Sequence, residues 1–290
     1  MYTDLERINE VALEISRERV RGASWSSEAM AKAILNEANK NTISCKDIDI
    51  ITKIVTDANP LMGSLYNLSL IMQNACNQGK TLEWATNKFL SYMSWARKSI
   101  VEHAAQLFKE EINIFTMSNS SNILDVVARY KEKINKVLVG ESQPGGEGAY
   151  FATQTKSLGI DVELYPDSAV SSAIEKSNVI LIGADNITID GCLFNKVGAK
   201  NVAIIAGYYG KPVISVFEPF KINPIMKCNN EIALTRSYLV EGFGQLTYRL
   251  FDELPNNLID GILSVNGLTD VSQSSLKFLH DSFVSWFNTN

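Results

Sequence analysis

The chain has 290 residues, of which 46% are hydrophobic and 20% charged, and its formal net charge is −5. These values are ordinary for a globular protein with a sizeable core, so the composition argues against wholesale disorder. Proteins that bind a nucleic-acid duplex normally carry a surplus of basic residues, whereas this chain carries a surplus of acidic ones. We therefore expect no direct nucleic-acid partner.

Cysteine usage and the N-terminal segment bear on metals and on location. Only two histidines accompany the cysteines, which lie far apart and form no C-x-x-C pair: Cys45, Cys76, Cys192 and Cys228. We expect no metal site and four reduced thiols, most of them buried. Residues 1–7 lack the apolar run of a signal peptide, and no stretch reaches the roughly 20 apolar residues of a membrane span. The interpretation is a cytoplasmic protein without a membrane partner.

The first part of the chain, residues 1–108, is predicted to form a helical N-terminal domain. Between Leu5 and Val20 apolar residues recur mostly three or four positions apart, which places them on one helical face. The serines between Ser24 and Ser27 offer N-cap hydroxyls to a helix that resumes at Ala29. The helical pattern returns at 48–55, 65–72 and 82–107, with breaks at 59–60 and 77–79.

From residue 109 onward, short apolar runs alternate with helical segments. The apolar runs lie at 112–116, 136–139, 162–165, 179–182 and 213–217, and the helical segments between them at 122–133, 149–158, 168–175 and 196–208. This alternation is typical of a parallel sheet covered on both faces. We predict an α/β protein in which residues 109–290 form a Rossmann-like domain with a mainly parallel sheet. Apolar residues within 272–290 predict a last helix, docked on its own chain or on another subunit.

Ligands in parallel sheets bind beyond the carboxyl ends of the strands, so the residues after each strand are the candidate site. Residues 116–121 form a hydroxyl-rich turn that opens a helix, where free N–H groups and the helix dipole favour an anion. Plain N-capping is the alternative. Residues 140–148 contain four glycines. These let backbone amides approach a ligand, but their spacing matches neither a dinucleotide nor a P-loop pattern.

Asp185 follows the fourth strand, where a carboxylate is costly unless it is hydrogen-bonded or used. The Asp190-Gly191 pair then predicts a hairpin turn that delivers Asn195 and Lys196 to the start of the next helix. Because the N-terminal end of a helix disfavours cations, Lys196 is expected to have an acidic partner such as Asp185 or a phosphate. A solvated lysine is the alternative.

Three segments taken together, Gly140–Pro144, Gly183–Asp185 and Asn195–Gly198, resemble the signature of one superfamily. It contains the alpha, beta and delta subunits of eukaryotic translation initiation factor two-B, ribose-1,5-bisphosphate isomerase and methylthioribose-1-phosphate isomerase. Arg21-Gly22-Ala23 looks like its Arg-Gly-Ala element, and 251–255 looks like its Phe-Asp-x-x-Pro element. The resemblance implies a helical domain on a Rossmann-like domain, and a homodimer or higher homo-oligomer.

The resemblance also implies a catalytic pair at Ser118 and Asp185. The isomerases move protons with a cysteine and this aspartate while an aldose phosphate becomes a ketose phosphate. Their Thr-His-Cys segment corresponds to Thr116-Met117-Ser118, so an alcohol replaces the thiol. A thiol ionises near ~8.5 and can be tuned towards neutrality, whereas a serine needs a neighbouring base. Loss of one proton-transfer partner typically costs about 10²–10⁴-fold in rate.

The phosphate contacts depart from the isomerase pattern as well. The isomerases carry arginine before proline where this chain has Asn59 and Gln143, and an amide cannot clamp phosphate as arginine does. The Glu-Ser-Gln-Pro form looks instead like the alpha subunit of the initiation factor. The ligand-binding candidates that the resemblance and the strand ends supply are Arg21, Gly22, Ala23, Glu141, Gly145, Gly146, Asn195 and Lys196.

Two functions follow as hypotheses. The first is an initiation-factor-two-B-like protein that binds a sugar phosphate or nucleotide and is catalytically weakened at Ser118. Its partners would be a phosphorylated small molecule, further copies of the chain and translation initiation factor subunits. The second is a working isomerase of a phosphorylated pentose, in which Asp185 moves the proton. Neither implies a metal or another cofactor.

Overall fold

The computed structural model describes residues 5–18, 20–228 and 234–288. Its N-terminal part consists of helices, as predicted: α1 (Glu6–Arg17), α2 (Ala23–Asn39), α3 (Ile48–Ala58), α4 (Gly63–Asn77) and α5 (Leu82–His103). The prediction that serines cap α2 is wrong, because α2 already begins at Ala23 with Gly22 as its N-cap. Ser24, Ser26 and Ser27 are buried inside its first turns.

The C-terminal part alternates strands and helices. Its strands are β1 (Ile112–Met117), β2 (Ile134–Gly140), β3 (Val162–Tyr165), β4 (Val179–Ile182), β5 (Asn186–Thr188), β6 (Leu193–Lys196), β7 (Val213–Val216), β8 (Ile222–Asn223), β9 (Thr235–Val240), β10 (Gly244–Arg249), β11 (Phe251–Leu254), β12 (Gly261–Ser264) and β13 (Gly267–Thr269). Its helices are α6 (Ser121–Arg129), α7 (Glu147–Ser157), α8 (Val170–Lys176), α9 (Ala199–Tyr208) and α10 (Gln273–Trp286).

The central sheet is mainly parallel, which confirms the predicted fold class. Its strand order is β13-β12-β7-β4-β1-β2-β3, and only the edge strand β13 runs antiparallel to its neighbour. From β1 the chain moves outward to β2 and β3, and then returns to the other side of β1 at β4. The crevice at such a reversal, beyond the carboxyl ends of the two strands, is where ligands bind in open α/β sheets.

The chain then enters a smaller sheet, whose strand order is β11-β6-β5-β8 and whose first strand in sequence, β5, follows β4. The strands β5 and β6 pair antiparallel, so the hairpin turn predicted at Asp190-Gly191 is present. This hairpin starts directly after Asp185 and ends at Lys196, and it therefore holds the segments Gly183–Asp185 and Asn195–Gly198 close together. A further hairpin, β9–β10, follows β8.

One hydrophobic cluster runs through both parts of the chain. The last helix, α10, packs on its own chain: Phe283 is buried and its ring centroid lies 4.9 Å from that of Tyr92 on α5. Because this core is shared, the predicted division at residues 108 and 109 stays a prediction. None of the helices in the described ranges is both long enough and apolar enough to cross a membrane.

The prediction of four reduced thiols is wrong. Disulfides join Cys45 to Cys76 and Cys192 to Cys228, with Cα–Cα distances of 5.5 and 5.4 Å. The two cysteines of each disulfide are 31 and 36 residues apart in sequence, respectively. Only the packing of separate elements brings their Cα atoms close enough for a disulfide. No short spacing motif records this proximity.

Candidate functional site

A cavity of about 250 Å³ lies where β1 and β4 end. Its wall contains most of the predicted site residues: Arg21, Gly22, Ala23, Ser118, Asp185, Asn195 and Lys196. These residues come from the α1–α2 connection and from the loops after β1, β4 and β6. The structure therefore brings together, at the reversal point of the central sheet, segments that are up to 175 residues apart, since 196 − 21 = 175.

Asp185 lies at the junction between β4 and the β5–β6 hairpin. Its backbone N–H donates to the carbonyl of Phe194 at 2.9 Å, and its carboxylate accepts a hydrogen bond from the backbone N–H of Ala23. Burial raises the pKa of Asp185 to about 6, although Lys221 and Lys196 oppose the rise. A carboxyl group with this pKa exchanges its proton close to neutral pH, which suits a general acid or base.

Lys196 is buried, and its ammonium pairs with the carboxylate of Glu147. The sequence predicted an acidic partner for this lysine, and Glu147 is that hydrogen-bonded partner rather than Asp185. The side chain of Asn195 helps to position this loop, because its Nδ2 donates to the carbonyl of Gly183 and its Oδ1 accepts from the N–H of Lys196 at 2.7 Å. Burial raises the pKa of Glu147.

A second buried ion pair joins Lys221, which lines the cavity, to Glu218. The Nζ of Lys221 lies 3.0 Å from Oε2 of Glu218, in the short turn after β7. Burial alone would raise the pKa of Glu218, but Lys221 and the amide of Asn122 outweigh it and lower that pKa overall. Lys221 is thus a charged residue of the cavity wall that balances a fully buried carboxylate.

Ser118 takes a backbone conformation that is uncommon for serine, with φ of 60°. Its N–H donates to Oγ of Ser142 at 2.7 Å, and the N–H of Ser142 in turn donates to Oδ1 of Asp167 at 2.8 Å. The side chain of Ser118 lines the cavity, and its hydroxyl has no hydrogen-bond partner among the described residues.

Arg21 stands at the mouth of the cavity with its charge already engaged. Its guanidinium donates to Glu14 at 2.8 Å and pairs with Glu18, and it stacks over the ring of Trp25 at 3.4 Å. Burial alone would lower the pKa of Arg21, but the hydrogen bonds and charges of Glu14 and Glu18 outweigh it and raise that pKa. A phosphate that used Arg21 would have to compete with two carboxylates.

The glycine-rich loop does not reach the cavity wall in the way predicted. Glu141, Gly145 and Gly146 are absent from the described lining, and Oε1 of Glu141 accepts from the amide of Gln143 at 2.7 Å. Gly145 supports the site indirectly, because a Cβ there would lie 2.4 Å from Oε1 of Glu147. The loop therefore contributes the Glu147 carboxylate rather than backbone amides.

Sequence reasoning missed Glu147, Glu218 and Lys221. Glu147 lies in the glycine-rich segment, which we interpreted by its glycines alone. An acidic residue in the first turn of a helix, as Glu147 is in α7, is the sequence signal that indicates it. Glu218 and Lys221 follow β7 directly, where the strand-end rule points.

The donors of the cavity are carboxylates, ammonium groups and amides, which suit a polar organic ligand. The one group within the described chain whose ligand atoms lie within 4.8 Å of one another and could hold a metal is elsewhere: Cys192, Cys228 and Glu253. Its two sulfur atoms are joined in a disulfide.

Comparison with known proteins shows the family to which this chain and its fold belong. The profile of the Initiation factor 2 subunit family matches residues 19–270, and the chain belongs to that family. An eIF-2B subunit 2-like protein of Pyrococcus abyssi is 31% identical over 268 residues, covering 91% of this chain and 96% of the relative.

Two further proteins mark the range of the family. A ribose 1,5-bisphosphate isomerase of Methanocaldococcus jannaschii is 29% identical over 303 residues, with 98% of this chain and 97% of the relative covered. The crystal structure of a translation initiation factor eIF-2B of Pyrococcus horikoshii superposes with a TM-score of 0.83 at 29% identity, covering 91% of this chain and 97% of that one. The chain is similar both to initiation-factor-like proteins and to isomerases.

Proposed function

We propose that the cavity binds a small phosphorylated metabolite, a sugar phosphate or a nucleotide, and that proton transfer in it is weakened. The observation that carries the proposal is that Ser118, an alcohol, lines the same cavity as Asp185. A serine without a base is a poor proton donor at neutral pH, so only one half of a proton-transfer pair is active. Lys196 and Lys221 offer ammonium groups as hydrogen-bond donors, and the N-terminus of α2 offers free N–H groups and the positive end of the helix dipole to an anionic ligand.

Ligand binding is tested by thermal and urea unfolding with ribose 1,5-bisphosphate, methylthioribose 1-phosphate and adenosine monophosphate. A ligand present at 100 times its Kd stabilises the folded chain by about 2.7 kcal/mol. Unphosphorylated ribose is the matched control and should have no effect. Absence of stabilisation by every phosphorylated compound up to millimolar concentration would contradict the proposal.

A working isomerase is the second candidate, and the raised pKa of Asp185 favours it, because a carboxyl with pKa of about 6 is a competent base near neutrality. We expect turnover of the two pentose phosphates well below the ordinary enzyme value of about 10 s⁻¹. Ordinary turnover by the wild-type chain would replace the first proposal with this one.

The substitution Ser118→Cys tests whether the missing thiol limits proton transfer in the cavity. A thiol restores an ionisable group in the same cavity as Asp185, so isomerase activity should rise, by up to the roughly 10²–10⁴-fold that one proton-transfer partner contributes. Ser118→Ala is the matched control and should show no gain. An unchanged rate in Ser118→Cys, together with normal ligand binding, would mean that the thiol is not the limiting group.

We also propose that the chain acts as a homodimer or larger homo-oligomer, with translation initiation factor subunits as further partners. The support is family membership and the similarity to eIF-2B-like proteins along 91% of the chain. Light scattering coupled to size-exclusion chromatography measures the oligomer, and a monomer at micromolar concentration would contradict the proposal.

A further inference from the structure

Three neighbouring strands of the central sheet end side by side, and the residues that follow them form a row. The strands β1, β2 and β3 stay paired with one another up to their last residues. Ser118 follows β1 directly, while Ser142 and Asp167 lie two residues beyond the ends of β2 and β3. Strand order therefore places these three residues beside one another, although they are distant in sequence.

Hydrogen bonds connect this row from the edge of the sheet to the cavity. Oδ1 of Asp167 accepts from the N–H of Ser142 at 2.8 Å, and its Oδ2 accepts from the N–H of Gln143 at 2.6 Å. Oγ of Ser142 donates to the carbonyl of Gly140 at 3.1 Å and accepts from the N–H of Ser118 at 2.7 Å. Ser142 is buried and is absent from the described cavity lining, to which Ser118 belongs. Within this row, Ser142 reaches the cavity through Ser118.

The two serines share a left-handed backbone conformation. The angle φ is 60° at Ser118 and 64° at Ser142. This conformation is unfavourable for a residue that has a Cβ, and it persists where surrounding contacts hold it. A return of Ser118 to the ordinary region, with φ near about −60°, would turn its Cα–Cβ bond about the N–Cα axis by about 120°. The side chain that now lines the cavity would then point in another direction.

We propose that Ser142, itself fixed by Asp167, is a positioning residue: its hydroxyl holds Ser118 in the left-handed conformation that directs the Ser118 side chain to the cavity. The inference rests on the proposed function in treating Ser118 as a residue of the ligand site. A hydroxyl that merely added one hydrogen bond would contribute to stability, and its loss would leave the conformation of Ser118 unchanged.

The test is a double-mutant cycle, measured by urea unfolding of the full chain, in which Ser118→Gly probes the backbone conformation. Glycine adopts positive φ without steric cost, whereas in an ordinary conformation it destabilises the fold because it increases the entropy of the unfolded chain. In the wild-type background, Ser118→Gly should therefore raise the urea midpoint, by roughly 0.2–0.5 M. In the Ser142→Ala background Ser118 is released to an ordinary conformation, so the same substitution should lower the midpoint.

The matched control is Asn41→Gly, at another non-glycine residue with positive φ, 57°, which follows α2 and is not among the described residues of the cavity lining. Its effect on the midpoint should be the same with and without Ser142→Ala. An equal gain from Ser118→Gly in both backgrounds, or a loss in the wild-type background, would overturn the inference.

A second variant covers the case in which Ser142→Ala does not fold. Asp167→Ala removes the carboxylate that accepts from the N–H groups of Ser142 and Gln143, so it should produce the same reversal of the Ser118→Gly effect. An unchanged gain in that background would equally overturn the inference. Since the cycle uses neither a ligand nor an activity, its failure is distinguishable from failure of the proposed function.

Discussion

Replacement of Asp185 by asparagine should stabilise the folded chain at neutral pH. Burial raises the pKa of Asp185 from 3.8 to about 6. A pKa difference of this size makes the ionised carboxylate cost the folded state about 3 kcal/mol above pH 6. Asparagine keeps an acceptor for the N–H of Ala23 and carries no charge, so most of this cost should disappear.

The pH dependence gives the sharper result. The folded pKa lies above the unfolded one, so the contribution of Asp185 to stability is fully present below pH 3.8 and is lost as the pH rises to about 6. The advantage of Asp185→Asn should therefore be near zero at pH 3.8 and reach about 3 kcal/mol above pH 6.

Urea denaturation of both proteins across this pH range measures the difference. The control is Glu37→Gln, for which the sign is reversed: the hydrogen bond from Lys40 lowers the pKa of Glu37, so that variant should lose stability at neutral pH and recover in acid. If the stability difference between Asp185→Asn and wild type did not depend on pH, or if the variant were less stable than wild type at pH 8, the raised pKa of the buried Asp185 carboxyl would be refuted.

Two further predictions concern packing and a buried histidine. A methyl group in Gly63→Ala would lie 2.2 Å from the carbonyl oxygen of Lys221, so the free energy of unfolding in urea should fall by about 1–3 kcal/mol. In Gly207→Ala, on α9, the added Cβ meets no described atom within 4 Å, so the free energy of unfolding should rise by about 1 kcal/mol. Burial lowers the pKa of His280, so stability should fall as the pH drops below 6.5, and His280→Gln should flatten that slope in the same assay.

The sequence predicts the sheet better than the starts of the helices. The apolar run at 179–182 coincides with β4, whose four residues are all buried, because a buried parallel strand needs a continuous apolar segment. The run at 162–165 coincides with the edge strand β3, which is only partly buried. The start of α2 was misplaced because serines are common N-caps. The first turn of α2 is instead buried against the cavity, where Ser24 donates to Glu218.

The sequence predicts those residues of the candidate site that follow a single strand. It does not predict the pairs whose two members come from distant segments of the chain. Asp185, Asn195 and Lys196 come from a single stretch around one hairpin, and sequence order alone brings them together. The partnership of Lys196 with Glu147 joins residues 49 positions apart, and the one between Glu218 and Asn122 joins residues 96 apart. Such pairs depend on strand order, and a single sequence does not record that β4 lies beside β1.

The internal pairing of the cavity charges predicts how ligand affinity depends on pH. Each cation of the wall already has a carboxylate partner: Arg21 with Glu14 and Glu18, Lys196 with Glu147, and Lys221 with Glu218. Because each pair is close to neutral, the net charge that a bound phosphate meets depends on Asp185. Its pKa of about 6 means that it changes charge close to neutral pH.

Neutralising Asp185 removes a repulsion of about 1 kcal/mol or more at 4 to 6 Å separation, so the Kd of a phosphorylated ligand should fall several-fold from pH 8 to pH 6. Protonation of the ligand phosphate, with its second pKa near ~6, acts in the opposite direction and is the same for every variant. Calorimetric titration of wild type and Asp185→Asn at both pH values isolates the protein contribution. In the variant the affinity should already be high at pH 8, and equal pH slopes in the two proteins would show that Asp185 does not face the bound anion.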